Sequence, residues 1–146
     1  MKILSYFAVN FNIGYTVLMR ILGIDYGSKM VGVACSDEAG EFALPVITLN
    51  NSKNLIKEVS DIAKENGTKV IVMGESKNYK GEANVILPES LNFKMDMEKE
   101  GFTVHLEPEF MTSHNAERFQ GKTDMLDASA AALILQSFLD KQRAKG

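Results

Sequence analysis

The sequence predicts an α/β fold, and three observations carry that reading. Two apolar runs, at about 20–25 and 30–36, are joined by a short turn holding Tyr26-Gly27-Ser28-Lys29, which is the pattern of an antiparallel hairpin. Further on, helical spacing over about 52–66 gives way to Lys69-Val70-Ile71-Val72-Met73-Gly74, a run apolar enough for a strand buried on both faces. The alternation then continues to an alanine-rich helical segment at about 124–143.

The remaining elements follow in order. A third strand at about 42–49 carries Phe42, Leu44, Val46 and Ile47, and Pro45 marks it as an edge. In the 52–66 helix, Leu55, Ile56, Val59, Ile62 and Ala63 share one face, and Gly67 stands where a helix stops. A polar loop is expected from Glu75 to Asn84, then a helix at about 86–100, with Pro88 tolerable only in its first turn. Phe102 to Leu106 reads as a fifth strand, followed by a short helix at about 112–119. In the last helix the expected core stripe is Leu126, Ala130, Leu133, Ile134 and Phe138. Its run Ala128-Ser129-Ala130-Ala131-Ala132 would let the helix backbone sit close to a sheet. No repeat, low-complexity linker or second domain interrupts the pattern.

Composition bounds the function. A chain of 146 residues, 45% hydrophobic and 24% charged, suits one compact domain. A net charge of −3 argues against nucleic-acid binding by the whole surface, but leaves room for a local basic groove. The single Cys35 allows no internal disulfide and points to a reducing, cytoplasmic setting. His105 and His114 have no cysteine partners and no zinc spacing. Residues 1–18 hold one charge, Lys2, and an apolar stretch broken by Asn10 and Asn12. That stretch is too short for a membrane span and lacks a signal-cleavage pattern. Because Met19-Arg20 stands just before the first strand, residues 1–18 are expected to be a non-native or disordered extension, and 19–146 the folded domain.

The chemistry concentrates in acids. Asp25 ends an apolar strand, where Asp is normally depleted; simple hairpin punctuation is the plain alternative. Asp124 and Asp127 are three apart and share a helix face, although an Asp at a helix start also serves as a cap or dipole partner. Glu75 directly follows the buried fourth strand. Carboxylates of this kind, if brought together, form a hard-oxygen set suited to Mg2+ (or Mn2+), and such ions support in-line hydrolysis of a phosphodiester. Lys29, Lys77, Lys80, Arg118 and Lys122 lie in the neighbouring loops and could hold a phosphate backbone. Each is also an ordinary solvated cation if taken alone. Tyr26 and Tyr79 could stack on unpaired bases.

Two segments carry a family resemblance. Met19–Val33 (MRILGIDYGSKMVGV) and Asp127–Gln136 (DASAAALILQ) resemble the two ends of the Holliday-junction-resolvase-like family, the bacterial pre-16S rRNA nucleases, and the likeness spans 19–140. It implies an RNase H-like fold, a five-stranded mixed sheet of order 3-2-1-4-5 flanked by helices. The ends of strands one and four would then be neighbours, with the last helix across them. Glu107-Pro108-Glu109-Phe110-Met111-Thr112-Ser113 falls where the family has an aromatic-D-E-R-L-T-T segment. Glu109 matches the family's Glu, but Pro108 replaces its Asp and Phe110 its Arg. Gly74-Glu75-Ser76 falls where the family reads G-L-P.

The resemblance implies Asp25, Glu109 and Asp127 as catalytic acids, and this chain adds Glu75. The expected site is therefore Asp25, Glu75, Glu109, Asp124 and Asp127, with Asp25, Glu75 and Asp127 as metal ligands. The implied activity is metal-dependent hydrolysis in 5′-end maturation of precursor 16S rRNA. A branched-DNA resolvase and an inactive RNA-binding domain remain alternatives. The expected partner is nucleic acid rather than a membrane, bound by a monomer or weak homodimer. The G-I-D-x-G-x-K hairpin also resembles the phosphate loop of actin-like ATPases and sugar kinases, but these need a second such hairpin and this chain has one.

Overall fold

The computed structural model of the chain describes residues 20–77, 87–110 and 124–145. Five strands, β1 (Ile21–Tyr26), β2 (Met30–Ser36), β3 (Ala43–Asn50), β4 (Val70–Lys77) and β5 (Thr103–Phe110), form one sheet of order β3-β2-β1-β4-β5. Helix α1 (Leu55–Glu65) connects β3 to β4, α2 (Leu87–Lys99) precedes β5, and α3 (Asp124–Lys145) ends the described chain. The β1–β2 and β2–β3 pairs are antiparallel, while β1–β4 and β4–β5 are parallel. The expected strand order is the observed one. Pro45 lies on the edge strand β3, opposite Ala34 and beside a register shift between Val33 and Ala34, where its missing N–H costs no ladder bond.

Strand alternation divides the core into two layers. On one face Leu22, Ile24, Val31, Val33, Ile71 and Met73 meet Leu55, Val59 and Ala63 of α1 and Phe93 and Met97 of α2. Ile56 and Ile62 pack at the margin of this layer, so the expected α1 face is the observed one. On the other face Ile21, Ala34, Val70 and Val72 meet Ala131, Ile134, Leu135 and Leu139 of α3. Cys35 is buried and free. Burial pushes its thiol up from the ordinary range, with the nearby Arg20 charge opposing that shift.

Three expectations need correction. The fourth and fifth strands run longer than their apolar stretches suggest, because the β4–β5 ladder continues through Gly74–Glu107, Glu75–Pro108, Ser76–Glu109 and Lys77–Phe110. Glu75 and Glu109 therefore sit in strands and not in loops. The stripe of the last helix also shifts: Leu133 is 48% exposed, whereas Ala128, Ala131, Leu135 and Leu139 are fully buried. Small residues win that face because α3 lies almost on the sheet backbone. Finally, α1 begins at Leu55, since Ser52–Asn54 form a turn in which the Leu55 N–H donates to the Ser52 carbonyl at 3.0 Å. The expected helix at 112–119 and the 78–84 part of the polar loop lie outside the described residues.

Candidate active site

The close approach of α3 is built by two glycines. A Cβ at Gly23 would stand 2.9 Å from the Ala131 carbonyl oxygen and 2.8 Å from the Leu135 Cβ. At Gly32 it would stand 2.0 Å from the Asp127 carbonyl oxygen and 2.4 Å from its carbon. The first turn of α3 thus rests directly on the backbone of β2. Gly32 pairs with Asp25 across the β1–β2 ladder, and directly opposed residues of an antiparallel pair project to the same face. Asp25 is therefore delivered beside Asp127, with both half-buried. A D-x-G hairpin, a bare glycine opposite the Asp, and a helix seated on that glycine together bring two acids to one edge.

Neighbouring strands decide which other acids can join. In the parallel β1–β4 ladder Ile24 pairs with Met73, so the residue level with Asp25 on β4 is Gly74. Glu75 lies one step further, and the alternation of β4 assigns it to the face of Ile71 and Met73, away from α3. Among the described residues no three acids, histidines or cysteines form a group that could hold a metal ion. The strand parity of Glu75 thus differs from that of Asp25. The physical reason is the pleat: one residue of register moves a side chain to the opposite face. Glu109 pairs with Ser76 near the end of the β4–β5 ladder. Asp124 is the first residue of α3.

Of the expected phosphate-binding cations, Lys29 is exposed in the β1–β2 turn. Lys77 is the last residue of β4, paired with Phe110. Lys80, Arg118 and Lys122 lie outside the described residues, as does Tyr79. Tyr26 is partly a packing residue: its ring lies 5.3 Å from that of Phe93.

The sequence reading did not single out a buried charge that ties α3 to β5. Glu107 is 4% exposed, and its Oε2 accepts hydrogen bonds from Ser137 Oγ at 2.9 Å and Lys141 Nζ at 2.5 Å. Lys141 itself is about half exposed, so solvent screens part of this attraction. The signal of this buried charge was available, because Glu107 stands where the resemblance has an aromatic. At the opposite border of the sheet, Gln136 of α3 accepts from the Ala43 N–H at 2.9 Å and donates to the Glu41 carbonyl at 2.8 Å. The helix that carries Asp127 is therefore pinned at both borders of the sheet as well as against its centre.

Comparison with known proteins agrees with this architecture. The family described as "RuvX: Holliday junction resolvase" matches residues 19–141. A protein of Clostridium tetani named "Putative pre-16S rRNA nuclease" is 37% identical over 134 residues, covering 84% of this chain and 96% of its own. A protein of the same name from Thermoanaerobacter pseudethanolicus is 31% identical over 140 residues, covering 87% of this chain and all of its own. Among solved structures, Thermus thermophilus RuvC in complex with a Holliday junction substrate superposes with a TM-score of 0.54 at 14% identity, over 86% of this chain and 96% of that one. This likeness speaks for the RNase H-like fold alone. With that fold, two acids at one sheet edge and a match spanning nearly all the described residues, the chain belongs to the RuvX family of Holliday-junction-resolvase-like nucleases.

Proposed function

We propose that this nuclease matures the 5′ end of precursor 16S rRNA, with Asp25 and Asp127 as the centre of its site and Mg2+ as its cofactor. The observation that carries the reading is the seat of Asp127 on Gly32, directly opposite Asp25. The substrate assignment draws on the names of the similar proteins. Family membership implies divalent-metal dependence in general, and the donors here fit it: Asp25, Asp127, Glu109 and Asp124 offer only hard carboxylate oxygens. When bound, such ions supply positive charge to the attacking and leaving oxygens and lower the pKa of a bound water.

The chain's own residues do the rest. Asp25 and Asp127 supply the two central carboxylates in this reading, from backbones that are both locked, one in a ladder and one against a glycine. Glu109, at the end of β5, is the third acid in this reading, and Asp124 flanks it at the start of α3. Lys29 in the hairpin turn offers its ammonium to a phosphate next to the scissile one. The enzyme works in the cytoplasm as a monomer or weak homodimer in this reading; no described helix is long and apolar enough to cross a membrane.

The test is to incubate the protein with labelled 5′-extended 16S rRNA precursor and with labelled four-way DNA junctions, each with Mg2+, Mn2+ or EDTA. Metal-dependent cleavage of the RNA at a defined position, with intact junctions, is the expected result. Symmetrical cutting of junctions with intact RNA would replace this reading by the resolvase one, which the family description favours.

A further inference from the structure

Tyr26 follows Asp25 directly, and strand alternation turns it to the other face of β1. There, at the same end of the sheet, a cleft of about 330 Å³ opens between β1, the loop after β3 and helix α2. We propose that this cleft is a subsite for one unpaired nucleobase of the RNA strand whose phosphate lies at Asp25. The inference rests on the nuclease reading above and adds a base-binding position to it.

Size, surface and charge point to a base. Small-ligand pockets run from about 300 to 1,000 Å³, so this cleft admits a single ring system and excludes a duplex. Half-buried Tyr26 gives it aromatic surface, backed by the buried ring of Phe93 tilted 43° to it, and an aromatic wall accepts the π-face of any base. Asn51 and Asn92 add amide donors and acceptors, the groups that read base edges. Among the described residues that line the cleft are also Glu89 and Asp96, with Lys53 their one cation. Two carboxylates against one ammonium disfavour a phosphate and tolerate a neutral ring.

The cleft is held open before any ligand arrives. The Asn51 side-chain amide donates to the Gly27 carbonyl at 2.7 Å, and its backbone N–H donates to the Lys29 carbonyl at 2.8 Å. These two bonds fasten the loop after β3 to the hairpin turn that follows Asp25. A strand whose scissile phosphate lies at Asp25 and whose next phosphate meets Lys29 would bring a neighbouring base to Tyr26. The geometry joins cleavage on one face of the sheet edge to base capture on the other.

An abasic scan tests this. A short single-stranded RNA, carrying one abasic site moved a nucleotide at a time, is measured for affinity and for kcat and KM of cleavage. In the wild type, one abasic position next to the cleavage site should weaken binding about tenfold, the scale of one lost stacking contact, and the others should matter little. Asn92 is exposed on α2, so Asn92→Trp should fill the cleft without unfolding the protein, as a melting curve would confirm. In that variant the intact RNA should bind about tenfold more weakly, and the sensitive abasic position should cost nothing further. Asn92→Ala, which keeps the space, should retain the position-dependent loss. Wild-type binding indifferent to every abasic position, or Asn92→Trp binding like wild type, overturns the subsite. Continued cleavage of the intact RNA in that case leaves the nuclease reading standing, whereas absence of both binding and cleavage overturns both.

Discussion

Asp25 acquires its neighbours from what stands opposite it. Gly32 offers no side chain, the Asp127 carbonyl fills that space, and two acids meet that lie about a hundred residues apart in sequence. The acids themselves were legible, since Asp in an apolar run and Asp-x-x-Asp at a helix start are local patterns. Which face each one occupies was not, because it depends on a ladder register between distant strands. Glu75 shows the consequence. Asp25→Asn and Asp127→Asn should each remove cleavage by orders of magnitude in single-turnover assays, and Glu109→Gln should come close to them. Glu75→Gln should lower the rate far less, since its strand position belongs to the other face; a dead Glu75→Gln enzyme with a native melting curve would return the metal site to Glu75. His105 yields a prediction about pH. Its ring stacks on Phe138 with centroids 5.4 Å apart, and burial, then the Lys94 charge, hold its pKa below the ordinary value. The unfolded chain therefore binds the proton more readily, and stability is lost as pH falls through about 6.5. His105→Phe should flatten the fall in denaturant midpoint between about pH 7 and pH 5, and an unchanged slope would assign that fall to the carboxylates.

The decisive contact between elements is that of α3 with the β1–β2 hairpin. Gly32→Ala would drive a methyl group into the backbone of α3 and not into a flexible side chain, so the helix itself must move. Overpacking of this kind costs about 1–3 kcal/mol, and the displaced group here is Asp127. The variant should fold with a lowered melting temperature and lose cleavage far beyond what its stability explains; wild-type turnover would mean the helix start adapts freely. The same contact accounts for the misread helix stripe. Leu133 fits an apolar period as well as Leu135 does, but only the row through Ala128 and Ala131 is small enough to lie on glycine backbone. The amphipathic face of α1 was legible because ordinary side chains meet there, as Leu55, Val59 and Ala63 show. The polar ends of β4 and β5 were not legible, because pairing with each other sustains them and hydrophobicity does not. Glu107 lies in one of those ends, and its pairing with Lys141 and Ser137 gives α3 a fixed lateral position on the sheet.

At the scale of the molecule, a chain of net charge −3 sets Asp25 and the start of the last helix at one end of its sheet. The family match begins at residue 19 and β1 at Ile21, so a protein comprising 19–146 should keep the melting temperature and activity of the full chain. A loss of several degrees would show that residues 1–18 contribute to the fold. The cost of crowding acids at the proposed site predicts a further behaviour. A divalent ion that binds the folded chain and not the unfolded one adds stability that grows with the logarithm of its concentration. Millimolar Mg2+ or Mn2+ should therefore raise the melting temperature of the wild type, and NaCl at matched ionic strength should not. Asp25→Asn removes one charge and one ligand together, so two outcomes are expected of it. Without metal it should melt at or above the wild-type temperature, because repulsion is relieved, and with metal it should gain much less. If Asp25→Asn and wild type shift equally, the ions bind elsewhere on the surface and the acids at this edge are not the metal site. If the variant melts well below wild type without metal, Asp25 is a structural residue whose hydrogen bonds outweigh the repulsion.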